Sequence, residues 1–468
     1  MVLTSDIQNK PARSRKPRPG QARPGQGGGR EDGPSSFEDK PGLAARIAAT
    51  RILAAVLEKK TSLDGMLDSE NGNPVYRALS IADRALVRAI VNSALRHLPR
   101  IETALSMLLD GPLPQGARSL HHVLVVGAAQ MLYLDVPDHS AVDLAVEQAH
   151  RDPRNKRFVK LVNAVLRRLG REKAEIEQAI ADVPVLPDWF YARLVSAYGN
   201  EVAQRISEAQ LTPSSIDLTV KADPALWAEK LGGTVLPNGS VRLGDFEGQI
   251  PSLEGFAEGA WWVQDLAASM PVRLLGDISG KRVADLCAAP GGKTAQLALA
   301  GAKVTALDQS GNRLRRLREN LDRLGLHAET VEVNMLKYQP ELLFDAVLLD
   351  APCSSTGTLR KHPDVCWTKD ETDIAKLAAL QGQMLRHSLT LVGSGGIVVF
   401  SNCSLDPSEG EEMIAQVLAE NPDVERIAVR KEDWPGMEAA VSPEGDLRTT
   451  PDMFGGVDGF FSSVLRKK

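Results

Sequence analysis

Cysteine is scarce in this chain: four in 468 residues, at positions 287, 353, 366 and 403. They form no C-x-x-C pair and no disulfide framework, so a reducing compartment, the cytoplasm, is the expected location. No spacing that joins His362, Cys366 and Cys353 fits a zinc-ligand pattern, and no metal is expected. Long apolar runs are missing as well. The longest, Val123 to Leu134, covers 12 residues and is interrupted by Gln130, which is too short to span a bilayer. The polar N-terminus has no apolar central run, so neither a signal peptide nor a membrane partner is predicted. Also absent is any large overall charge: the net value is −5.

That small total hides an asymmetry. Residues 1–30 carry seven Lys/Arg against Asp6, a net +6, which leaves −11 on the rest. A second basic cluster runs from Arg151 to Lys173, with nine Lys/Arg against Asp152 and Glu172. Basic tracts on an acidic body suggest a local polyanion-binding face rather than wholesale coating of nucleic acid. The competing interpretation of either tract is a solvated charge run.

The chain is long enough for two or three domains with real cores. Residues 1–40, rich in Gly, Pro, Arg and Ser, predict a disordered basic tail. Residues 41–172 read as all helical, with one stripe through Leu43, Ile47, Leu53, Val56 and Leu57 and another through Ile81, Leu86, Ile90, Ala94 and Leu95. Residues 173–265 read as a helical connector followed by a small α+β subdomain, in which Ser215–Val220 alternates and Asn238-Gly239 turns. From 266 to 468 strands and helices alternate: Arg282–Cys287, helix 293–300, Lys303–Asp308, helix 311–324, Glu329–Val333, Phe344–Asp350, helix 371–391, Gly396–Ser401, helix 408–420. This order predicts an α/β domain of the Rossmann-like, doubly wound kind with a parallel sheet.

The first of these strands runs into Asp285-Leu-Cys-Ala-Ala-Pro-Gly-Gly-Lys-Thr294. It is not a P-loop, because Cys287 stands where that pattern needs glycine, and it is not G-x-G-x-x-G. What remains is a tight turn, in which Gly291 and Gly292 let a ligand approach the backbone at a helix N-terminus. The second strand ends at Asp308, where an acid suits ribose hydroxyls. A nucleoside cofactor without a pyrophosphate fits, and S-adenosyl-L-methionine is the candidate.

Downstream, Cys353 and Cys403 each follow a hydrophobic strand, in Asp350-Ala-Pro-Cys-Ser-Ser-Thr-Gly357 and Ser401-Asn-Cys-Ser404. In an open α/β sheet both would face the ligand crevice. A thiolate is needed when the carbon to be methylated is not itself nucleophilic, as at carbon 5 of a pyrimidine. Addition of sulfur at carbon 6 makes carbon 5 enamine-like, and elimination later restores the ring. A free thiol titrates near ~8.5 and is lowered by positive neighbours. Lys293 and a cationic cofactor are candidates, while Asp350 could reach the cytosine edge or the cofactor. Taken singly, each thiol reads as a small buried hydrophobe. Their pairing beside a cofactor loop points to chemistry.

These segments, with Arg360-Lys-His-Pro-Asp364 and the terminal Asp458-Gly-Phe-Phe461, resemble the Nop/Sun family of RNA cytosine-C5 methyltransferases. The resemblance implies that Cys403 attacks the base and that Cys353 assists product release. It implies a cofactor site lined by Cys287, Ala288, Ala289, Pro290, Gly291, Gly292, Lys293, Asp308, Asn334 and Asp350. At position 334 an acid is usual in that family, whereas Asn can still accept or donate a hydrogen bond towards adenine. The helical part resembles NusB, an RNA-binding antitermination factor, through Asp83-Arg-Ala-Leu-Val-Arg88, Gln130-Met-Leu-Tyr133, His139-Ser-Ala-Val142 and Val162-Asn-Ala-Val-Leu-Arg167. Together the two resemblances imply methylation of a cytosine in small-subunit (16S) ribosomal RNA by a monomer. They also imply an RNA-recognition-like role for the 214–250 subdomain, and a lead-in from Trp261–Asp265 that brings Gln264 towards the cofactor.

Overall fold

The helix Arg118–Tyr133 explains the architecture of the N-terminal half. Leu120 and every residue from His122 to Leu132 are buried in it, and a helix buried all round must be wrapped by others. The helices Leu43–Lys59, Ile81–Arg96, Leu98–Leu108, Asp138–Arg151 and Val159–Arg171 do so. Packing is tight at Gly127, where a methyl group would come within 2.8 Å of Leu166 Cδ1. The buried polar residue Gln130 is satisfied: it accepts from Arg46 Nε at 2.9 Å and donates to Val126 O at 2.8 Å. In this computed structural model the described residues are 40–468 apart from 69, 115, 245 and 247. The basic tail expected over residues 1–40 therefore lies outside them, save for Lys40.

The 22-residue helix Asp188–Ala209, kinked at Gly199, leads into a small antiparallel sheet. It contains β1 (Asp217–Val220), β2 (Gly233–Val235), β3 (Val241–Leu243) and β4 (Trp261–Val263), in the order β2-β3-β1-β4. Asn238-Gly239 forms the expected turn, closed by Leu236 N–H donating to Ser240 O at 2.8 Å. One expectation is corrected here. Trp261–Val263 does not simply lead into the large sheet; it pairs with β1 as the edge of the small one. Its indoles explain the placement. Trp261 and Trp262 are both buried, and the Trp262 indole donates to Gln264 Oε1 at 2.9 Å.

The large sheet takes β5 (Arg282–Leu286), β6 (Lys303–Asp308), β7 (Glu329–Glu332), β8 (Phe344–Asp350), β9 (Val392–Asn402), β10 (Val424–Arg426), β11 (Leu447–Thr449) and β12 (Phe460–Lys467). The path is β10-β12-β9-β8-β5-β6-β7, with β11 added against β12. The strands β5 to β9 are parallel; β5, β6 and β8 are buried along most of their length, as strands covered on both faces must be, whereas the edge strand β7 is partly exposed. The expected all-parallel sheet is corrected at the other edge, because β12 runs antiparallel to β9 and inserts between it and β10. That insertion brings Asp458-Gly-Phe-Phe461 onto the Cys353 loop. Gly357 donates to Cys403 O and accepts from Gly459 N–H, both at 2.8 Å, and a Cβ on Gly357 would lie 1.9 Å from Gly459 O. No side chain fits there.

The two halves meet along residues 360–370. Arg96 donates to Arg360 O at 2.8 Å, the Trp367 indole to Leu95 O at 3.0 Å, and Leu63 N–H to Asp364 Oδ2 at 2.9 Å. The Arg-Lys-His-Pro-Asp motif is thus a strap between the helices and the large sheet. No helix among the described residues is long and apolar enough to cross a membrane.

Candidate active site

The carboxyl ends of β5, β6, β8 and β9 converge. After β5 the backbone turns left-handed at Cys287 (φ 63°) and again at Gly291 (φ 103°), which aims the helix Gly292–Leu299 at the crevice. Ala288 N–H donates to Leu307 O, and Gly291 N–H to Ala288 O, each at 2.9 Å. Ala288, Ala289, Pro290, Gly291 and Gly292 therefore form the turn itself. Asp308 holds it from the side, accepting from Ala289 N–H at 3.3 Å and Ser310 N–H at 3.0 Å and pairing with Arg313 Nη1 at 3.1 Å.

Lys293 and Asp350 form a pair at 2.8 Å, and Ser401 Oγ donates to the other Asp350 oxygen at 2.9 Å. The ammonium also lies 4.9 Å from the centre of the Phe460 ring. Beneath them Asp285 is fully buried. It accepts from Thr294 Oγ1 at 2.6 Å, while its second oxygen has no partner among the described residues. Burial pushes its carboxyl up to about 7.

Cys353 Sγ and Cys403 Sγ lie 3.5 Å apart. The contact with Cys353 lowers the Cys403 thiol against the opposing effect of burial; the same contact, with burial, holds Cys353 well above the ordinary thiol range. Lys293, expected as the charge that lowers a thiol, is instead spent on Asp350. Neither of the remaining cysteines is paired with a second thiol. Burial and three nearby carboxylates push Cys287 up to about 12, and Cys366 sits buried beside Leu359 and Val365.

Two clusters escaped the sequence reading. Glu409, fully buried, grips the residue after each thiol. Ser354 N–H donates to Oε1 at 2.9 Å and Ser404 Oγ to Oε2 at 2.6 Å; Ser354 Oγ also donates to Oε2, and Gln381 Nε2 to Oε1 at 2.8 Å. The serines flanking both cysteines were its only sequence signal. The second cluster is Lys361, set between Asp265 at 2.7 Å and Asp458 at 2.8 Å. Gln264 lies against the turn, 3.7 Å from where a Cβ on Gly292 would stand. It accepts from Thr219 at 2.8 Å and donates to Gln296 at 2.7 Å, stitching the small sheet to the helix after the turn.

A slot of about 110 Å³ opens between the ends of β6 and β7, lined by Cys287, Asp308, Asn334 and Met335 among others. With the glycine turn and the unpartnered Asp285 oxygen, it fits S-adenosylmethionine: a pocket for the base, an acid where a ribose would lie, and a carboxyl towards an amino group. A larger cavity, about 780 Å³, lies between Leu98–Leu108 and Arg118–Tyr133. It is lined by no cysteine, so size does not mark the site. No metal-ligating cluster occurs among the described residues.

In the Arg151–Lys173 tract, the helix Val159–Arg171 buries Val162, Val165, Leu166 and Leu169 and leaves Lys160 and Arg167 exposed. Lys156 and Arg157 are exposed just before it, and none of these four makes an ion pair among the described residues.

Comparison with known proteins agrees with this geometry. The family model for 16S rRNA methyltransferase RsmB/F matches residues 272–466, and that of the NusB family matches residues 43–171. Ribosomal RNA small subunit methyltransferase B of Serratia proteamaculans is 33% identical over 439 residues, covering 90% of this chain and 98% of that protein. The protein of the same name from Vibrio vulnificus is 33% identical over 446 residues, covering 91% and 100%. The crystal structure of PH0851 superposes with a TM-score of 0.68 over 92% of this chain and 99% of that one, at 21% identity, a likeness of fold. A methyltransferase homolog from Pyrococcus horikoshii is 30% identical, with a TM-score of 0.51 over 60% of this chain and 94% of its own. One-third identity along nearly the whole of both chains, over a site built for S-adenosylmethionine, leaves one conclusion: the chain belongs to the RsmB/F family of S-adenosylmethionine-dependent ribosomal RNA small subunit methyltransferases.

Proposed function

We propose that this protein methylates carbon 5 of a cytosine in 16S ribosomal RNA through a covalent cysteine–cytosine adduct. The observation that carries the reading is the thiol pair, 3.5 Å apart at the ends of the β8 and β9 loops, with Cys403 the more acidic. Cys403 is the nucleophile: its sulfur bonds to carbon 6, and electron density moves to carbon 5. When bound, S-adenosylmethionine supplies an electrophilic methyl group. Loss of the carbon-5 proton and cleavage of the S–C6 bond return the aromatic ring, and Cys353 assists that release. Asp350, held by Lys293 and Ser401, hydrogen-bonds the cytosine edge or the cofactor. The exposed Lys156, Arg157, Lys160 and Arg167 dock the RNA backbone, and the target cytosine reaches the thiols unpaired.

Two variants test the roles. Cys353→Ala should leave protein covalently bound to rRNA, seen as a slow-migrating band on a denaturing gel. Cys403→Ala should give neither adduct nor methylated product. A trapped adduct in the Cys403 variant would reverse the assignment. Bisulfite mapping of rRNA with and without the protein checks the carbon-5 product.

A further inference from the structure

The slot between β6 and β7 is apolar on most sides, walled by Leu307, Val333, Leu336, Pro352, Leu380 and Met384. Such a slot takes a flat heterocycle. Among its polar members, Asp308 is already engaged by two backbone N–H groups and Arg313. Asn334 is not. Its Oδ1 accepts from Leu336 N–H at 3.0 Å, opening the 3₁₀ turn Met335–Lys337. An N–H can face only the oxygen of an amide, so the turn fixes which way the side chain points. Nδ2, a pure donor with two N–H groups, is left with no hydrogen bond among the described residues and stands at the exposed rim of the slot.

The edge of a purine base distinguishes what it meets. Adenine offers an acceptor at N1 and a donor amino group at carbon 6. Hypoxanthine offers an acceptor oxygen at carbon 6 and a donor at N1. A carboxylate at position 334 would accept from the adenine amino group and repel the oxygen of hypoxanthine. An amide whose oxygen is held by Leu336 N–H, with its nitrogen free at the rim of the slot, does neither. We propose that Asn334 sets the base specificity of the methyl-donor site, and that its donor makes the site tolerant of a 6-oxopurine in place of adenine. This inference rests on the placement of the nucleoside base of S-adenosylmethionine in this slot.

The test is equilibrium binding by calorimetry of S-adenosylhomocysteine and S-inosylhomocysteine to the full chain and to Asn334→Asp. The Asp variant keeps the cap to Leu336, so its fold is retained. The natural chain should bind the two ligands within about threefold of one another, because either base meets Nδ2 with an acceptor. Asn334→Asp should favour the adenosine form by at least about tenfold, since the inosine oxygen then faces a carboxylate. Strong discrimination by the natural chain, or a ratio unchanged by the substitution, would overturn the assignment. If S-adenosylhomocysteine itself failed to bind the natural chain, the placement of the base would fall, and the specificity role with it.

Discussion

Glu409 is where a single substitution should tell most about how the thiols are held. Its carboxylate accepts four donors in a fully buried position, two of them from Ser354 and one from Ser404, the neighbours of Cys353 and Cys403. Glu409→Ala orphans the Ser354 N–H, which cannot rotate to another partner. Gln381 keeps Pro352 O at 2.9 Å, and the Ser354 hydroxyl keeps Thr356 at 3.2 Å. One orphaned backbone donor, the lost charge-assisted bonds and the cavity left behind together cost about 4 kcal/mol. Glu409→Gln is different. Its oxygen can keep the Ser354 N–H and Gln381 bonds, while its amide nitrogen donates to the two hydroxyls, which turn round to accept. That exchange should cost about 1 kcal/mol. Urea unfolding midpoints at constant slope measure both. Single-turnover methyl transfer should fall at least about tenfold in the Ala variant, because sulfurs no longer held in register lose their alignment on the ring. An Ala variant with natural stability and rate would refute the reasoning. So would a Gln variant as damaged as Ala, because the charge rather than the bonding geometry would then matter.

Charge reversal at Arg157, Lys160 and Arg167 should weaken rRNA binding and flatten its dependence on salt by about one unit of slope per lost phosphate contact; an unchanged slope removes that helix from the interface. The buried Asp285 carboxyl makes the cofactor-free protein pH-sensitive. Its value in the folded chain, about 7, lies above the ordinary carboxylate range, so its contribution is present in acid and is lost as pH rises from about 4 through 7. Relative to Asp285→Asn, the natural chain should lose up to about 1.4 kcal/mol per pH unit across that window. Parallel stability–pH curves for the two proteins would contradict this.

Legibility in the sequence followed the range of the interactions involved. The helical stripes, the strands β5 to β9 and the turn Cys287–Gly292 were readable because each is dictated by neighbours a few residues away: burial period, turn-forming glycine, strand-to-helix succession. The two cysteines could be picked out because each ends a hydrophobic strand, and the order of elements puts those strand ends on one edge. Lys293 illustrates the limit. Its place after the glycine turn marked it as a site residue, yet only the fold reveals that Asp350, 57 positions on, takes its charge.

The sequence by itself determined that an all-helical part precedes an α/β part, that a glycine turn follows β5, and that two thiols end nearby strands, since local patterning carries all of these. Tertiary structure alone decided that β12 enters antiparallel beside β9, that Trp261–Val263 completes a separate sheet, and that Glu409 and the Lys361 cluster brace the crevice. Those outcomes depend on which distant backbone edge or buried polar group is satisfied by which partner, and hydrogen bonding across tens to hundreds of residues leaves no periodic trace in the chain.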